Sequence, residues 1–257
     1  MTQTIVQVEN LNLSYKNIHA VQNVSFSVKP GEVLAIIGHN GSGKTSTVEC
    51  IEGLRKPDAG SIRVFGIDPW KNRREVYSKI GVQLQETNYS ARIRVEEQCE
   101  LFAGFYERPA DWKLLLSQLN LADKCKRPVS KLSGGEKQRL SILLALIGRP
   151  KLIILDELTT GLDPEVRQNM CASFQTIKES GVAIILVSHY LEEVEALADT
   201  ILYLEKGRQL FFGSKQNFRN YAREQIPENE WQENCSLEKL YLQIAPKTKG
   251  LTMEGIL

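Results

Sequence analysis

The fold of this chain is decided by Val33-Leu34-Ala35-Ile36-Ile37-Gly38-His39-Asn40-Gly41-Ser42-Gly43-Lys44-Thr45. The apolar half, from Val33 to Ile37, is typical of a strand buried in the middle of a sheet. The polar half matches G-x-x-x-x-G-K-[S/T], in which glycines let the backbone curl around phosphate groups with its N–H groups pointing inward. A helix is predicted from near Gly43 onward, and its N-terminus would add a favourable dipole. The sequence therefore predicts a phosphate-binding loop.

The loop predicts a nucleoside triphosphate, ATP, bound together with Mg²⁺. Lys44 would reach the β- and γ-phosphates, and the Thr45 hydroxyl would ligate Mg²⁺. The competing interpretation is a glycine-rich turn that contains a lysine by chance, and the strand before and helix after the loop argue against it. The candidate nucleotide-binding residues of this segment are Gly38, His39, Asn40, Gly41, Ser42, Gly43, Lys44, Thr45 and Ser46.

Further apolar runs indicate an α/β fold. Leu152 to Leu155 and Ala183 to Val187 resemble the first buried strand, and helical segments separate them, which favours a mostly parallel sheet. Near the N-terminus, Ile5 to Val8 predicts a strand, and the alternating Val24, Phe26 and Val28 predict a second, antiparallel strand with one exposed face.

The chain is predicted to divide into a domain over residues 1–213 and a helical extension with a tail over 214–257. A helical lobe is expected as an insertion at about 87–150, with helices from Val95 to Tyr106, from Ala110 to Leu119 and from Gly134 to Ile147. In the extension, Leu237, Leu240, Tyr241 and Ile244 have the spacing of one helix face, so we expect a small amphipathic helix docked on the protein.

Composition excludes several classes of protein. The 257 residues have a net charge of +1, which lacks the basic excess of a dedicated nucleic-acid binder. The five cysteines form no C-x-x-C pair, so buried thiols in a reducing compartment are expected. No apolar run approaches the ~20 residues that span a bilayer, and the N-terminus does not resemble a signal peptide. We expect a soluble chain whose membrane partner, if any, is separate.

Two carboxylates follow the strand from Leu152 to Leu155. Adjacent carboxylates at the end of a buried strand are costly unless they are used. Asp156 is placed to hold Mg²⁺, directly or through water, and Glu157 is placed to polarise the attacking water. The alternative is an acidic pair that favours the N-terminus of a following helix.

The segment Lys131-Leu132-Ser133-Gly134-Gly135-Glu136 contains the LSGG-[E/Q] signature of ABC ATPases, and the chain from about Ile5 to Gly213 resembles that family. The resemblance implies a P-loop NTPase (RecA-like) sheet core with an antiparallel β subdomain and the inserted helical lobe. It also implies that the signature contacts the γ-phosphate of ATP held by a second subunit. Its candidate residues are Ser133, Gly134, Gly135 and Glu136.

Further positions are similar to functional positions of this family. Tyr15 resembles the aromatic residue that stacks on adenine, with Val21 as its apolar companion. Gln85 resembles the glutamine that touches Mg²⁺ and water and links the two lobes. Asp163 lies in a segment that resembles the loop crossing the dimer interface, and His189 resembles the histidine that contacts the γ-phosphate.

The family implies a catalytic set of Glu157, His189, Gln85 and Lys44, and a metal set of Thr45, Gln85 and Asp156. Two positions depart from its usual pattern. Leu158 replaces the proline that usually follows the acidic pair, and His39 occupies a variable loop position.

A single ABC domain without its own span resembles the ATPase subunit of a transporter. The implied partners are a separate permease and a second ATPase subunit, in a homodimer rather than a heterodimer, at the cytoplasmic face of the membrane. The segments Arg94 to Ala103 and Ser236 to Tyr241 resemble drug- and peptide-exporter subunits. An importer subunit and a soluble ABC ATPase acting on ribosomes or DNA remain as alternatives.

Overall fold

The computed structural model describes residues 4–83, 92–156, 164–232 and 235–245. Their strands form one sheet in the order β4-β1-β2-β9-β8-β3-β7-β6-β5. The bounds are β1 (Val6–Tyr15), β2 (Ile18–Val28), β3 (Val33–Ile37), β4 (Ala59–Val64), β5 (Ile80–Gln83), β6 (Leu152–Asp156), β7 (Ala183–Val187), β8 (Thr200–Glu205) and β9 (Arg208–Ser214).

Helices connect and cover these strands. They are α1 (Lys44–Ile51), α2 (Arg73–Tyr77), α3 (Val95–Ala103), α4 (Trp112–Gln118), α5 (Gly134–Ile147), α6 (Pro164–Glu179), α7 (Leu191–Leu197), α8 (Lys215–Gln225) and α9 (Leu237–Ile244). In the described part of the chain, no helix has both the length and the apolar character needed to cross a membrane.

The sheet joins a parallel core to an antiparallel edge, which confirms the predicted fold class. β3 pairs in parallel with β7 and β8, and β6 pairs in parallel with β7 and β5. At the other side, β1 pairs antiparallel with β2 and β4. Every residue of β3 and of β7 is buried, as their continuous apolar sequences predict for central strands.

The register of the parallel strands fixes where the polar loops meet. Ile36 of β3 lies opposite Val187 of β7, which in turn lies opposite Asp156 at the end of β6. The carboxyl ends of these three strands therefore stand side by side. In open α/β sheets this edge is where ligands bind, so the loops after β3, β6 and β7 are brought to one place.

Several sequence-predicted boundaries differ from the structure. β1 does not end at Val8 but continues to Tyr15 past an irregular register, with Asn10 at φ 49°. The helix expected from Ala110 starts at Trp112 instead, because the carboxylate of Asp111 accepts hydrogen bonds from the backbone N–H groups of the first turn. The helix expected to reach Tyr106 ends at Ala103.

The helices after β9 pack on the sheet. Buried side chains of α8 and α9, among them Phe218, Leu237 and Leu240, share one apolar cluster with Ala35 and Ile37 of β3. The predicted amphipathic helix is therefore α9, in which Leu237, Leu240 and Tyr241 are buried and Leu242 is exposed. All five cysteines are free thiols, and three of them, Cys50, Cys99 and Cys235, are buried.

Candidate nucleotide-binding site

The loop between β3 and α1 has a backbone that requires glycine. Gly38 has φ 148°, and a Cβ there would lie 2.2 Å from the carbonyl oxygen of Leu204. Gly43 has φ 102°, and its Cβ would lie 2.4 Å from the carbonyl oxygen of Ala20. Both positions combine a left-handed conformation with backbone contact, so no larger side chain fits. The two glycines of the motif therefore set the curl of the loop.

The loop also holds its lysine in place. The ammonium Nζ of Lys44 donates to the carbonyl oxygens of Gly38 at 2.7 Å and His39 at 3.0 Å. The backbone N–H of Ser42 donates to the carbonyl of His39 at 3.0 Å. Lys44 also opens α1, whose first turn contains no acidic residue and has no side-chain cap. Positive charge from the ammonium and from the helix N-terminus thus meets at one point, where an anion would be stabilised.

Beside the loop lies a cleft of about 670 Å³. Thr45 and Asp156 both line it, so the structure brings two members of the expected metal set to one cavity. The remaining lining residues are Tyr15, Ile18, His19, Ala20, Asn40, Gly41, Gly43, Lys44, Ser46, Val187 and Lys206.

Tyr15 stands in the wall of this cleft, next to α1. Its hydroxyl donates to Oε2 of Glu49 at 3.0 Å and accepts from the hydroxyl of Ser46 at 3.4 Å. The guanidinium of Arg55 lies 5.3 Å from the ring centroid, within the range of a cation–π contact. The ring is therefore held in a defined position beside the phosphate loop.

Val21 does not accompany Tyr15 in the cleft, which corrects its expected placement. Its side chain is 1% exposed and belongs to the hydrophobic core, while Ile18 and Ala20 line the cleft. The physical reason is an irregularity in β2, where Asn23 has φ 52°. The buried positions are therefore Val21 and then Val24, rather than a strict every-second-residue series.

His189 lies in the turn after β7. Hydrogen bonds of two buried residues, Ser188 and Glu193, hold this turn in place. The hydroxyl of Ser188 donates to Oε2 of Glu193 at 2.8 Å and accepts from the backbone N–H of Tyr190 at 2.9 Å. Ser188 is fully buried and Glu193 is 1% exposed. The ring of His189 lies 4.1 Å from that of Tyr190, measured between centroids. His189 therefore lies on a turn that these buried hydrogen bonds hold in place, at the edge of the sheet where ligands bind.

A second cavity, of about 420 Å³, joins this turn to the phosphate loop. Gly38, His39 and Asn40 line it on one side, and Ser188 and His189 line it on the other. Asn40 borders both cavities. The expected residues after β3, β6 and β7 are therefore gathered in adjoining spaces. Gln85, Glu157 and Asp163 lie outside the described residues.

The segment Ser133 to Glu136 forms the start of α5 and lines neither cavity. The Ser133 hydroxyl accepts from the backbone N–H of Glu136 at 3.2 Å, and the Glu136 carboxylate accepts from the backbone N–H of Ser133 at 2.7 Å. This capping box lowers the pKa of the Glu136 carboxyl. Ser133 and Gly134 are exposed, and a Cβ on Gly134 would meet no atom within 4 Å.

Two residues that the sequence did not indicate reach the site from distant parts of the chain. Lys206, in the turn between β8 and β9, lines the cleft, and the neighbouring Gly207 donates its backbone N–H to the carbonyl of Ser42 at 3.0 Å. Tyr241 of α9 lines the second cavity. Neither residue lies in a recognisable motif, so only the sheet order and helix docking reveal them.

The parallel core, the glycine-constrained loop after β3 and the carboxylate at the end of β6 define a P-loop nucleotide-binding protein. The buried hydroxyl of Ser42 and Nε2 of His39 have no hydrogen-bond partner among the described residues. Together with the ammonium of Lys44, these polar atoms suit a bound phosphate chain.

Comparison with known proteins identifies the family within this class. Residues 21–160, more than half of the chain, match the family model described as ABC transporter. The chain belongs to the ABC transporter family. Within that family it is an ATP-binding and ATP-hydrolysing cassette.

Two similar proteins come from bacteria. The linearmycin resistance ATP-binding protein LnrL of Bacillus subtilis (strain 168) is 33% identical over 219 residues, which cover 82% of this chain and 70% of that protein. The Nod factor export ATP-binding protein I of Burkholderia orbicola (strain AU 1054) is 33% identical over 219 residues, covering 83% of this chain and 72% of that protein.

Solved structures agree with the family. The structure of an ATP-binding subunit of an ABC transporter superposes with a TM-score of 0.83 at 26% identity, covering 94% of this chain and 99% of that one. A dimeric post-hydrolysis state of the ATP-binding cassette MJ0796, bound to ADP and Pi, superposes with a TM-score of 0.73 at 26% identity, covering 81% of this chain and 98% of that one.

Proposed function

We propose that this chain is the ATP-hydrolysing subunit of an exporter and acts on a separate membrane-spanning permease. The observation that carries the proposal is the meeting of the phosphate loop, Asp156 and His189 at one sheet edge, while the signature at Ser133 lies elsewhere on the surface. The names of the two bacterial relatives, one for linearmycin resistance and one for Nod factor export, support the direction of transport.

Each residue has a role that follows from its position. Lys44 binds the β- and γ-phosphates, because its ammonium is already directed over the loop. Tyr15 meets the adenine ring, with Ile18 and Ala20 rather than Val21 as the apolar surface beside it. His189, on its braced turn, contacts the γ-phosphate.

The donor set fits Mg²⁺ as a cofactor. Thr45 offers a hydroxyl and Asp156 a carboxylate in one cleft, and Mg²⁺ binds such oxygen ligands together with substrate phosphates. Gln85 is the third proposed ligand. When bound, Mg²⁺ neutralises charge on the phosphate oxygens.

Glu157 follows Asp156 and is the proposed base that polarises the attacking water. In this arrangement hydrolysis depends mainly on positioning and on charge stabilisation of the transferred phosphoryl group. Its place in the sequence, directly after the last residue of β6, supports this assignment.

A second copy of the chain completes each site. Ser133 to Glu136 lie at a helix N-terminus whose glycine-containing first turn is open to the surrounding solvent. Such a terminus binds anions, and it would meet the γ-phosphate held by the partner subunit. Asp163 would lie at the same interface. The dimeric state of the related cassette supports this arrangement, and we propose a homodimer.

The Glu136 carboxylate has a structural role in this proposal. It accepts the backbone N–H of Ser133 and so stabilises the start of α5. A second anion near a triphosphate is unfavourable, so the backbone N–H groups and the Ser133 hydroxyl are the better ligands.

The permease places the protein at the cytoplasmic face of the membrane as a peripheral subunit. The test is affinity purification of tagged chain from detergent-solubilised membranes. The proposal predicts a polytopic membrane protein in fixed ratio to the ATPase, without an extracytoplasmic substrate-binding protein. Recovery of such a binding protein would favour import, and recovery with ribosomes or DNA alone would overturn transport.

The same preparation tests catalysis with a matched pair of variants. Glu157→Gln should keep ATP binding and lose nearly all turnover, whereas Glu136→Gln, which can still accept the Ser133 N–H, should keep most turnover. Phosphate release and ATP binding are measured on both. Turnover by Glu157→Gln close to that of the unchanged chain would refute the assignment of the base.

A further inference from the structure

The C-terminal helix α9 reaches the phosphate loop through one aromatic side chain. The ring centroid of Tyr241 lies 5.7 Å from that of His39, at an interplanar angle of 44°. On its other side Tyr241 meets the buried ring of Tyr203 at 5.6 Å, in an edge-on arrangement. Such distances and angles are those of favourable aromatic pairs. Tyr241 is 8% exposed, so it is part of the packed interior.

The helix that carries Tyr241 is firmly attached to the protein. Leu237 and Leu240 are fully buried beneath it. The backbone N–H of Leu237 donates to Oε2 of Glu195 at 3.2 Å, and Arg219 forms an ion pair with the same carboxylate. Glu195 belongs to α7, the helix that follows the His189 turn. Tyr241 therefore meets the loop from a fixed support that is also tied to the opposite side of the second cavity.

His39, the residue that Tyr241 contacts, also orients Lys44 of the phosphate loop. The carbonyl oxygen of His39 accepts from Nζ of Lys44 and from the backbone N–H of Ser42, both at 3.0 Å. The side chain that Tyr241 contacts is thus attached to the backbone unit that orients Lys44. Restraint of the imidazole by Tyr241 therefore restrains the residue whose carbonyl orients the ammonium.

We propose that Tyr241 is a positioning residue for ATP binding. Its ring holds the imidazole of His39, and this contact fixes the part of the phosphate loop that presents Lys44 to the β- and γ-phosphates. The C-terminal extension thereby becomes part of the nucleotide site. The proposal concerns ATP binding by the chain itself and does not depend on which permease or cargo it serves.

The test uses three single variants of the full chain and a double-mutant cycle. Tyr241→Leu removes the ring but keeps an apolar side chain in the cluster. Tyr241→Phe keeps the ring and is the conservative control. Leu240→Ala removes buried volume from the same helix and controls for general loosening of α9. Each variant is made with His39 and with His39→Ala, and the ATP Kd and the melting temperature are measured on all of them.

We expect Tyr241→Leu to raise the ATP Kd by about three- to tenfold, the size of one aromatic contact. Tyr241→Phe should bind ATP within about twofold of the unchanged chain, since it retains the ring contact. In the His39→Ala background, Tyr241→Leu should have little further effect, because the two residues act as one unit.

Three results would overturn the proposal. The first is an unchanged ATP Kd in Tyr241→Leu. The second is that Leu240→Ala raises the ATP Kd as much as Tyr241→Leu does and lowers the melting temperature equally, because both effects would then reflect only loosening of α9. The third is a Tyr241→Leu effect that persists in full when His39 is already alanine.

Discussion

Replacement of Gly43 by alanine tests how the phosphate loop is built. Gly43 has φ 102°, and the new Cβ would lie 2.4 Å from the carbonyl oxygen of Ala20 in β2. A left-handed conformation costs an L-residue about 1–2 kcal/mol. Relief of the contact requires backbone movement, and such overpacking costs about 1–3 kcal/mol. The total free-energy cost is about 2–5 kcal/mol. It would distort the phosphate loop, weaken the attachment of α1 to β2, or do both.

The matched control is Gly41→Ala in the same loop. Gly41 also has a left-handed backbone, at φ 78°, but a Cβ there meets no atom within 4 Å. It therefore carries the conformational cost without the contact. The two variants should differ by about 1–3 kcal/mol, which is about five- to 150-fold in ATP affinity if the loop deforms.

The assay is ATP titration by calorimetry, with thermal unfolding measured in parallel. We expect Gly43→Ala to have a lower ATP affinity, a lower melting temperature, or both, compared with Gly41→Ala. If the two variants bind ATP within twofold of each other and unfold at the same temperature, the contact with Ala20 does not constrain the loop.

Three further predictions concern single side chains. Gly134→Ala should keep its melting temperature, because a Cβ meets no atom within 4 Å, yet lower ATP hydrolysis at the subunit interface; equal hydrolysis would contradict that interface. Lys44→Ala should weaken ATP binding by more than tenfold in titration, as loss of a charge-assisted phosphate contact requires; near-normal affinity would count against its role. Burial raises the pKa of the Glu52 carboxyl from 4.5 to about 7. Between these two pH values the native state keeps a proton that the unfolded state has released, so the free energy of unfolding falls as pH rises towards 7. Glu52→Gln should flatten this dependence and be more stable at pH 8 by up to about 3 kcal/mol in urea unfolding; an unchanged pH slope would refute it.

The central strands and the signature helix were predictable because their signals are local. β3 is apolar throughout and ends at the glycine of the loop, and its observed bounds, Val33–Ile37, are those of the apolar run. The helix Gly134–Ile147 begins where Ser133 caps it. Capping and burial act over a few residues, so one stretch of sequence contains them.

Other features depend on contacts that no local pattern encodes. β8 and β9 form a hairpin next to β3, and its turn brings Lys206 to the cleft. The amphipathic spacing of α9 predicts that Tyr241 faces inward, but not that it meets His39. Val21 was assigned to the cleft by family resemblance alone, and that resemblance does not show the irregularity at Asn23 that accompanies the burial of Val21 in β2. Strand order, helix docking and bulges are settled by tertiary packing.

In the proposed mechanism, two copies of the chain share each ATP site. The most direct measurement is the molar mass of Glu157→Gln by light scattering, with and without ATP. We expect a monomer without ATP and a dimer with two ATP molecules when nucleotide is added. We also expect Gly134→Ala in the same background to weaken this dimer. A Glu157→Gln chain that binds ATP and remains monomeric would contradict this mechanism.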